Sequence, residues 1–367
     1  MKLDRIEVSG FKSIRELKLD LLSLNVLIGA NGSGKSNFIE LFEVLNNLVA
    51  GNFQLYVALA GGAGSFLYYG QKTTEKIKLK LLYGPNTYCC AWVPAADDSF
   101  VFAKERIDYY KQGTSPPQSL FQASAGYRES RLPEYAKSSP RTMESKVLIS
   151  LKSWKVYHFH DTSKSAPIKK LGDINDNLYL RPDAGNLAAF LYLLKRTKKE
   201  HYEAIRDTIR LVAPFFDDFF LRPNPENENM IKLEWREKGS DFPFQVYHLS
   251  DGTLRFICLA TILLQPELPS TILIDEPELG LHPYAIVVLA SLMKSAAERT
   301  QLIVSTQSVS LVNQFDPEDL LVVERKEHDH RYETVIGRVD TKKLDAWLEE
   351  YSLGELWEKN VLGGRPQ

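Results

Sequence analysis

Gly29-Ala-Asn-Gly-Ser-Gly34-Lys35-Ser36 sets a glycine, four residues, then Gly-Lys-Ser in one short stretch. That spacing describes a loop that cradles phosphate. Gly29, Gly32 and Gly34 let the backbone wrap an anion, and Asn31, Ser33 and Asn37 belong to the same binding set. Lys35 supplies a cation for the β- and γ-phosphates, and the Ser36 hydroxyl is a ligand for Mg²⁺. A second group of reactive residues lies far along the chain, where an apolar run ends in Asp275-Glu276. Asp275 is suited to hold the Mg²⁺ shell through water, and Glu276 to polarise the water that attacks the γ-phosphate. Pro277 follows, so a helix-capping acidic pair is the alternative. Taken together, the two groups predict ATP and Mg²⁺ as the ligands.

Such residues work only if the right elements carry them. Leu24–Ile28 is a short apolar run that ends at the loop, as a buried parallel strand would. Asn37 to Leu45 has apolar residues at helical spacing, so a helix should start where the loop ends. Its N-terminus would aim free N–H groups and a positive dipole end at the anion. Thr271 to Ile274 reads as a second buried strand, which puts the acidic pair at a strand's C-terminal end, where α/β sheets bind ligands. Between them, His248-Leu-Ser250-Asp-Gly252-Thr253-Leu-Arg255 runs into the apolar stretch Phe256 to Leu264. Ser250 is a good N-cap there, and the helix it starts offers a second anion site, or only a capped core helix.

Composition excludes several classes. The 367 residues, 44% hydrophobic and 25% charged, are those of an ordinary globular chain large enough for one elaborated domain or two. No apolar run is long enough to span a bilayer, and Met1-Lys-Leu-Asp-Arg opens straight into a strand pattern. A cytoplasmic protein without membrane partners is therefore expected. Cys89, Cys90 and Cys258 make no metal-type spacing, which suits a reducing compartment. A net charge of −2 gives no general case for nucleic acid, although a local basic groove stays open.

The order of loop, Leu-Ser-Asp-Gly-Thr and acidic strand resembles the ABC-type ATPase heads of the SMC, RecF and OLD-like group. Leu249-Ser-Asp-Gly-Thr253 looks like the ABC signature, and places Ser250 and Gly252 on nucleotide. Asp275-Glu-Pro-Glu-Leu-Gly-Leu-His282-Pro283 looks like the Walker B and D-loop block of stand-alone RecF/OLD-like ATPases. Ile6-Glu-Val-Ser-Gly-Phe11-Lys-Ser13 is similar to the first strand of SMC-type heads, where a basic residue at the Lys12 position approaches the phosphates. The segments Trp154 to Ser163 and Ser352 to Trp357 are similar to ones in bacterial predicted ATPases of this kind. After Gln301-Leu-Ile-Val304, ABC heads place a histidine on the γ-phosphate, and this chain has Gln307. An amide donates a hydrogen bond but carries neither proton nor charge, which implies sensing with slow hydrolysis. Gln71 is a candidate for the Q-loop glutamine on Mg²⁺ by position alone, with an exposed turn residue as the alternative.

The resemblance implies an α/β fold, an ABC/SMC-type P-loop NTPase head with a mixed sheet, flanking helices and a compact insertion. The N-terminal lobe would span 1–85, a β-rich then helical insertion 86–222, the C-terminal lobe 223–330 and a tail 331–367. Residues 75–83 and 87–94 read as a hairpin, and 98–110 and 145–160 as strands. Residues 112–142, rich in Ser, Pro, Gln and Arg, read as an exposed loop, and 186–220 as helix. No sustained heptads suggest a coiled-coil arm. The tail has a short amphipathic helix around 344–350 and a Gly363-Gly364-Arg365-Pro366 end that is disordered or docks a partner. His158, His160 and Asp161 read as a satisfied pair in a flanking sheet, with a metal site as the alternative, and His328-Asp-His330 as a solvated turn.

Two functions compete. One is an ATP-hydrolysing head that dimerises on ATP and drives DNA-related action, in anti-phage defence or repair, through a separate effector encoded nearby. The other is an ATP-dependent clamp or sensor that turns over rarely and scaffolds a toxin or nuclease. Glu276 favours the first and Gln307 a low rate. A transporter subunit fits poorly, and the residues after the last core strand are too few for a Toprim-like nuclease.

Overall fold

Ile6 and Val8 alternate with Glu7 and Ser9, and Leu17 and Leu19 with Glu16 and Lys18. Each strand therefore buries one face, and Arg5–Phe11 pairs antiparallel with Ile14–Asp20 on that register. The computed structural model describes residues 1–110, 117–136, 142–159 and 161–364. The chain divides into two units. The first comprises Met1–Val156, Pro269–Leu273 and Asp316–Gln367, and the second Tyr157–Leu268 and Ile274–Phe315.

In the first unit, a six-stranded antiparallel sheet runs Ile14–Asp20, Arg5–Phe11, Ile77–Tyr83, Asn86–Pro94, Phe100–Tyr109, Gln118–Ala123. The hairpin expected around residues 84–86 is present, and Cys89 and Cys90 lie buried within it as free thiols. Leu24–Ile28 pairs in parallel with Leu320–His328, which turns back antiparallel as Arg331–Arg338, so this ladder is mixed. The turn between them is at Asp329 and His330, both at positive φ and both exposed. The helix Lys35–Ala50 buries Phe38, Leu41, Phe42 and Leu45, and Phe42 meets Trp154 at 5.0 Å between ring centroids.

Two readings of the sequence need correction here. Residues 145–160 are not a strand: Met143–Ser153 is a helix, and only Lys155–Tyr157 is extended. The Thr142 hydroxyl caps it by accepting from the Ser145 N–H, and Val147 and Leu151 lie one turn apart on its buried face. The cap and the four-residue spacing of Val147 and Leu151 make it a helix. Nor is 112–142 all loop. Gln118–Ala123 adds an edge strand to the sheet and Leu132–Tyr135 forms one helical turn, while residues 111–116 and 137–141 lie outside the described residues.

The second unit is helix-rich. Leu187–Thr197 and Lys199–Val212 fall where helix was expected, but Phe216–Phe219 is a strand, paired with Glu234–Glu237 and then Pro243–Gln245. Asp251–Leu264 is apolar nearly all round and almost wholly buried, and it packs against Lys199–Val212 and Pro283–Ala297. Gln301–Thr306 is buried at every position. In the tail of the first unit, a short helix Asp345–Leu348 precedes Leu353–Glu358, which a reciprocal Ser352–Glu355 capping box starts.

No helix among the described residues is long and apolar enough to cross a membrane. None of the described His, Cys, Asp and Glu side chains cluster in threes as a metal would need, and His160 lies outside the described residues.

Candidate active site

The loop begins where Leu24–Ile28, buried at every position, runs out of strand. A side chain on Gly29 would collide with the Val323 carbonyl of the neighbouring strand, so the chain passes there only as glycine. Gly32 and Gly34 take φ of 76° and 111°, the left-handed region that curls the backbone into a cradle. Gly34 then serves as N-cap of the 16-residue helix Lys35–Ala50 with no side-chain cap bond. The N-cap residue thus offers no side chain to the first-turn N–H groups, which suits an anion. The Ser36 residue is exposed at this terminus, and Ser33 Oγ on the loop is buried with no hydrogen-bond partner. These features fit the phosphates and Mg²⁺ that the sequence implies.

Lys35 is 6% exposed, and its ammonium donates to the carbonyls of Gly29 at 2.7 Å and Ala30 at 3.0 Å. The outer wall is a hydroxyl knot absent from the sequence reading. Thr334 Oγ1 donates its one proton to the Ser33 carbonyl at 2.8 Å and accepts from the Ser13 hydroxyl at 2.7 Å, while Asn37 Nδ2 donates to Ser13 Oγ at 2.6 Å. A Cβ on Gly34 would strike Thr334, so loop and strand need each other's shapes. Ser13 stood at the end of the opening segment. Thr334 had no local signal, since only tertiary pairing brings it near. Lys12, at φ 46°, donates to the Glu40 carboxylate on the loop helix and lies 4.9 Å over the Phe66 ring. Gln71 is exposed and donates to Asp98 Oδ1 at 3.1 Å. The structure thus ties neither side chain to the loop itself.

The acidic half belongs to the second unit. Glu276 follows the end of strand Thr271–Asp275 at φ 44°, a backbone conformation that costs a non-glycine residue about 1–3 kcal/mol and recurs at functional sites. Its N–H donates to the Ser305 carbonyl at 2.9 Å, and its Oε1 accepts from Gln307 Nε2. The residues predicted as base and sensor are therefore in direct contact. Glu278 escaped the sequence reading, although it stands in the same acidic block. Its Oε1 accepts from the Thr306 hydroxyl at 2.6 Å and from the Gln307 N–H at 3.2 Å, while Oε2 is buried without a partner. Burial raises its carboxyl above the ordinary 4.5, with the Glu276 charge adding to the effect and the two donors opposing it.

That raised value predicts a pH dependence. Stability from a neutral Glu278 is fully present below 4.5 and is lost as pH climbs through the raised value. Glu278→Gln removes the titration and keeps an oxygen for Thr306 and Gln307. Its melting temperature should fall less than that of the native chain over that window, and an identical slope would contradict the assignment.

Ser250 caps Asp251–Leu264 by accepting from the Thr253 N–H at 3.1 Å. A Cβ on Gly252 would collide with the Gly280 carbonyl, so the start of this helix and the loop after Glu276 pack backbone to backbone. Buried Arg255 links the same parts, donating to the carbonyls of Phe159 at 2.7 Å and of Leu279. His282 accepts from the Tyr284 N–H and starts Pro283–Ala297 with proline in its first turn. Lys35 and Ser36 thus lie in the first unit, and Asp275, Glu276, Ser250, Gly252 and Gln307 in the second.

A family model described as "AAA ATPase domain" matches residues 1–116, and one described as "AAA domain, putative AbiEii toxin, Type IV TA system" matches residues 110–313. No curated protein matches the sequence. Among solved structures, an Smc head bound to the C-terminal winged-helix domain of ScpA is similar at a TM-score of 0.60 and 14% identity, over 94% of this chain and 99% of that one. An Smc head with an extended coiled coil, bound to the C-terminal domain of ScpA and derived from Pyrococcus furiosus, has a TM-score of 0.50 and 16% identity, over 95% and 99%. At such identities the likeness shows the fold, an SMC-head P-loop NTPase. The second family model spans more than half of the chain. The chain has the fold of an SMC-head P-loop NTPase and belongs to the AAA-domain family of the AbiEii-toxin description.

Proposed function

We propose that the chain binds ATP with Mg²⁺, hydrolyses it slowly, and closes head to tail with a second copy to drive or gate action on DNA. The observation that carries this reading is the glycine cradle at a helix N-terminus with no side-chain cap, with Lys35 folded onto the carbonyls of Gly29 and Ala30. Lys35 exchanges those carbonyls for phosphate oxygens, and the amides of Gly32 to Ser36 hold the same anion. Ser36 and Asp275 would hold Mg²⁺, which when bound neutralises charge on the β- and γ-phosphates. Glu276 orients water and takes its proton, with Gln307 fixing the carboxylate that does so.

The same hydrogen bond supports slow turnover, because a neutral amide occupies the base and adds no positive charge. It also keeps alive the second reading, an ATP-dependent clamp with negligible turnover. Leu279, Tyr284 and Val287 are large, exposed and apolar beside the loop after Glu276, which supports a second copy as the occupant of that face. The family description, a putative toxin of a Type IV TA system, supports a second protein as partner of this chain. Anti-phage defence or DNA repair follows by analogy only. The buried free cysteines support a cytoplasmic setting.

Lys35→Ala tests the reading. Native protein should release phosphate from ATP only with Mg²⁺, and the variant at least ~100-fold more slowly. Native binding without release would favour the clamp, and equal release by both would remove the loop from the chemistry.

A further inference from the structure

The tail returns to the phosphate loop within the first unit. The Gly364 carbonyl accepts the Ala30 N–H at 2.8 Å, and the Gly364 N–H donates to Glu324 Oε1 at 3.0 Å. Glu324 lies just past Val323, whose carbonyl flanks Gly29, and its other oxygen holds Lys326 at 2.8 Å. Both tail glycines are at left-handed φ, 85° and 86°. A Cβ on Gly363 would sit 2.6 Å from Glu324 Oε1. One on Gly364 would sit 3.2 Å from Val322 Cγ1, 3.3 Å from Trp357 Nε1 and 3.4 Å from Gly29 Cα. Trp357 is supplied by Leu353–Glu358, the helix that the Ser352–Glu355 box starts, so the Ser352 to Trp357 segment builds the seat for this crossing.

We propose that Gly364 and Glu324 are positioning residues for the phosphate loop, holding its Ala30 amide in place while Lys35 changes partners. The proposal rests on the nucleotide reading of that loop. Lys35 ties the carbonyls of Gly29 and Ala30 across the mouth of the loop, and that tie must break when its ammonium turns to phosphate. The Ala30 N–H bond uses a different atom and survives the exchange, so the entry peptide keeps its direction. Burial works against the Glu324 charge, but Lys326 and the Gly364 N–H outweigh it, and the carboxyl stays below its ordinary range as an anchoring anion.

The experiment uses the full chain as Gly364→Val, Glu324→Ala and Glu324→Gln, with Lys35→Ala as the control. Binding of ATP-Mg²⁺ is read by titration, turnover at saturating ATP, and hydrogen exchange of the 27–34 segment without nucleotide. Gly364→Val and Glu324→Ala should bind ATP about tenfold more weakly, with saturated turnover within about twofold of native and faster exchange in that segment. Glu324→Gln keeps an oxygen for the Gly364 N–H and should restore affinity to within about threefold. Native affinity and native exchange in both damaging variants would overturn the proposal. So would equal loss in Glu324→Gln and Glu324→Ala, because charge and not the held amide would then matter. If Gly364→Val does not fold, the Glu324 pair decides alone. If the native chain binds no ATP, the nucleotide reading fails, and the exchange arm still decides whether the tail holds the loop.

Discussion

Glu276→Gln should bind ATP-Mg²⁺ as tightly as the native chain and release phosphate at least ~100-fold more slowly, the usual range for losing a general base. Glu276 sits in a left-handed backbone conformation that is kept against its cost, with its N–H on Ser305 and its carboxylate on Gln307. The substitution replaces one carboxylate oxygen by an amide of nearly the same shape. Gln307 can still donate to the remaining oxygen, so the local geometry should hold while proton uptake is lost. Binding by titration and release by a phosphate assay separate the two effects. Undiminished release would take Glu276 out of its role, and lost binding would make it a structural residue. Because this variant stalls after binding, it should also accumulate as a dimer with ATP-Mg²⁺ in light scattering.

Ser250→Arg should abolish ATP-dependent dimerisation and lower turnover at least ~100-fold while leaving ATP binding by the separate chain in place. Ser250 caps a 14-residue helix through Thr253, and the first turn beyond it carries amides suited to an anion. In the head-to-tail arrangement, the phosphate that these amides meet belongs to the other subunit. Two-fold symmetry then gives two shared sites, and the arrangement closes on itself. An arginine there would fill the space meant for the partner's nucleotide. ATP must promote association by mass action if the dimer binds it better than the single chain does. Normal hydrolysis by Ser250→Arg would break the shared-site account, whatever oligomer is seen.

Elements whose residues announce themselves locally were legible. The apolar run into Gly29, the Ser250 cap and the buried strand into Asp275 each carry their signal within a few residues, and each formed as expected. Met143–Ser153 misled because Val147 and Ile149 alternate with Leu148 and Ser150 as in a strand, and only its cap and its burial settle the helical spacing. Gln118–Ala123 was hidden in polar composition because an edge strand buries little: only Phe121 and Ala123 do so. In the site, Thr334 and Glu324 were unreadable because strand pairing brings their strands beside the loop from about three hundred residues away in sequence. Glu278 was visible but unranked, since nothing short of the structure shows it holding Gln307.

The shared site is the central claim, and mixing two inactive variants tests it most directly. Lys35→Ala lacks a working loop and Ser250→Arg lacks a working signature, so each should be inactive in hydrolysis alone. In a mixed dimer, the intact loop of one chain faces the intact signature of the other, which rebuilds one of the two sites. Neither variant should pair with itself on ATP, so equal amounts combined with ATP-Mg²⁺ should form mixed dimers with one working site each and recover up to about half of native turnover. If each site were built within one chain, the mixture would stay as inactive as its parts, and no recovery over the full range of mixing ratios would contradict the account.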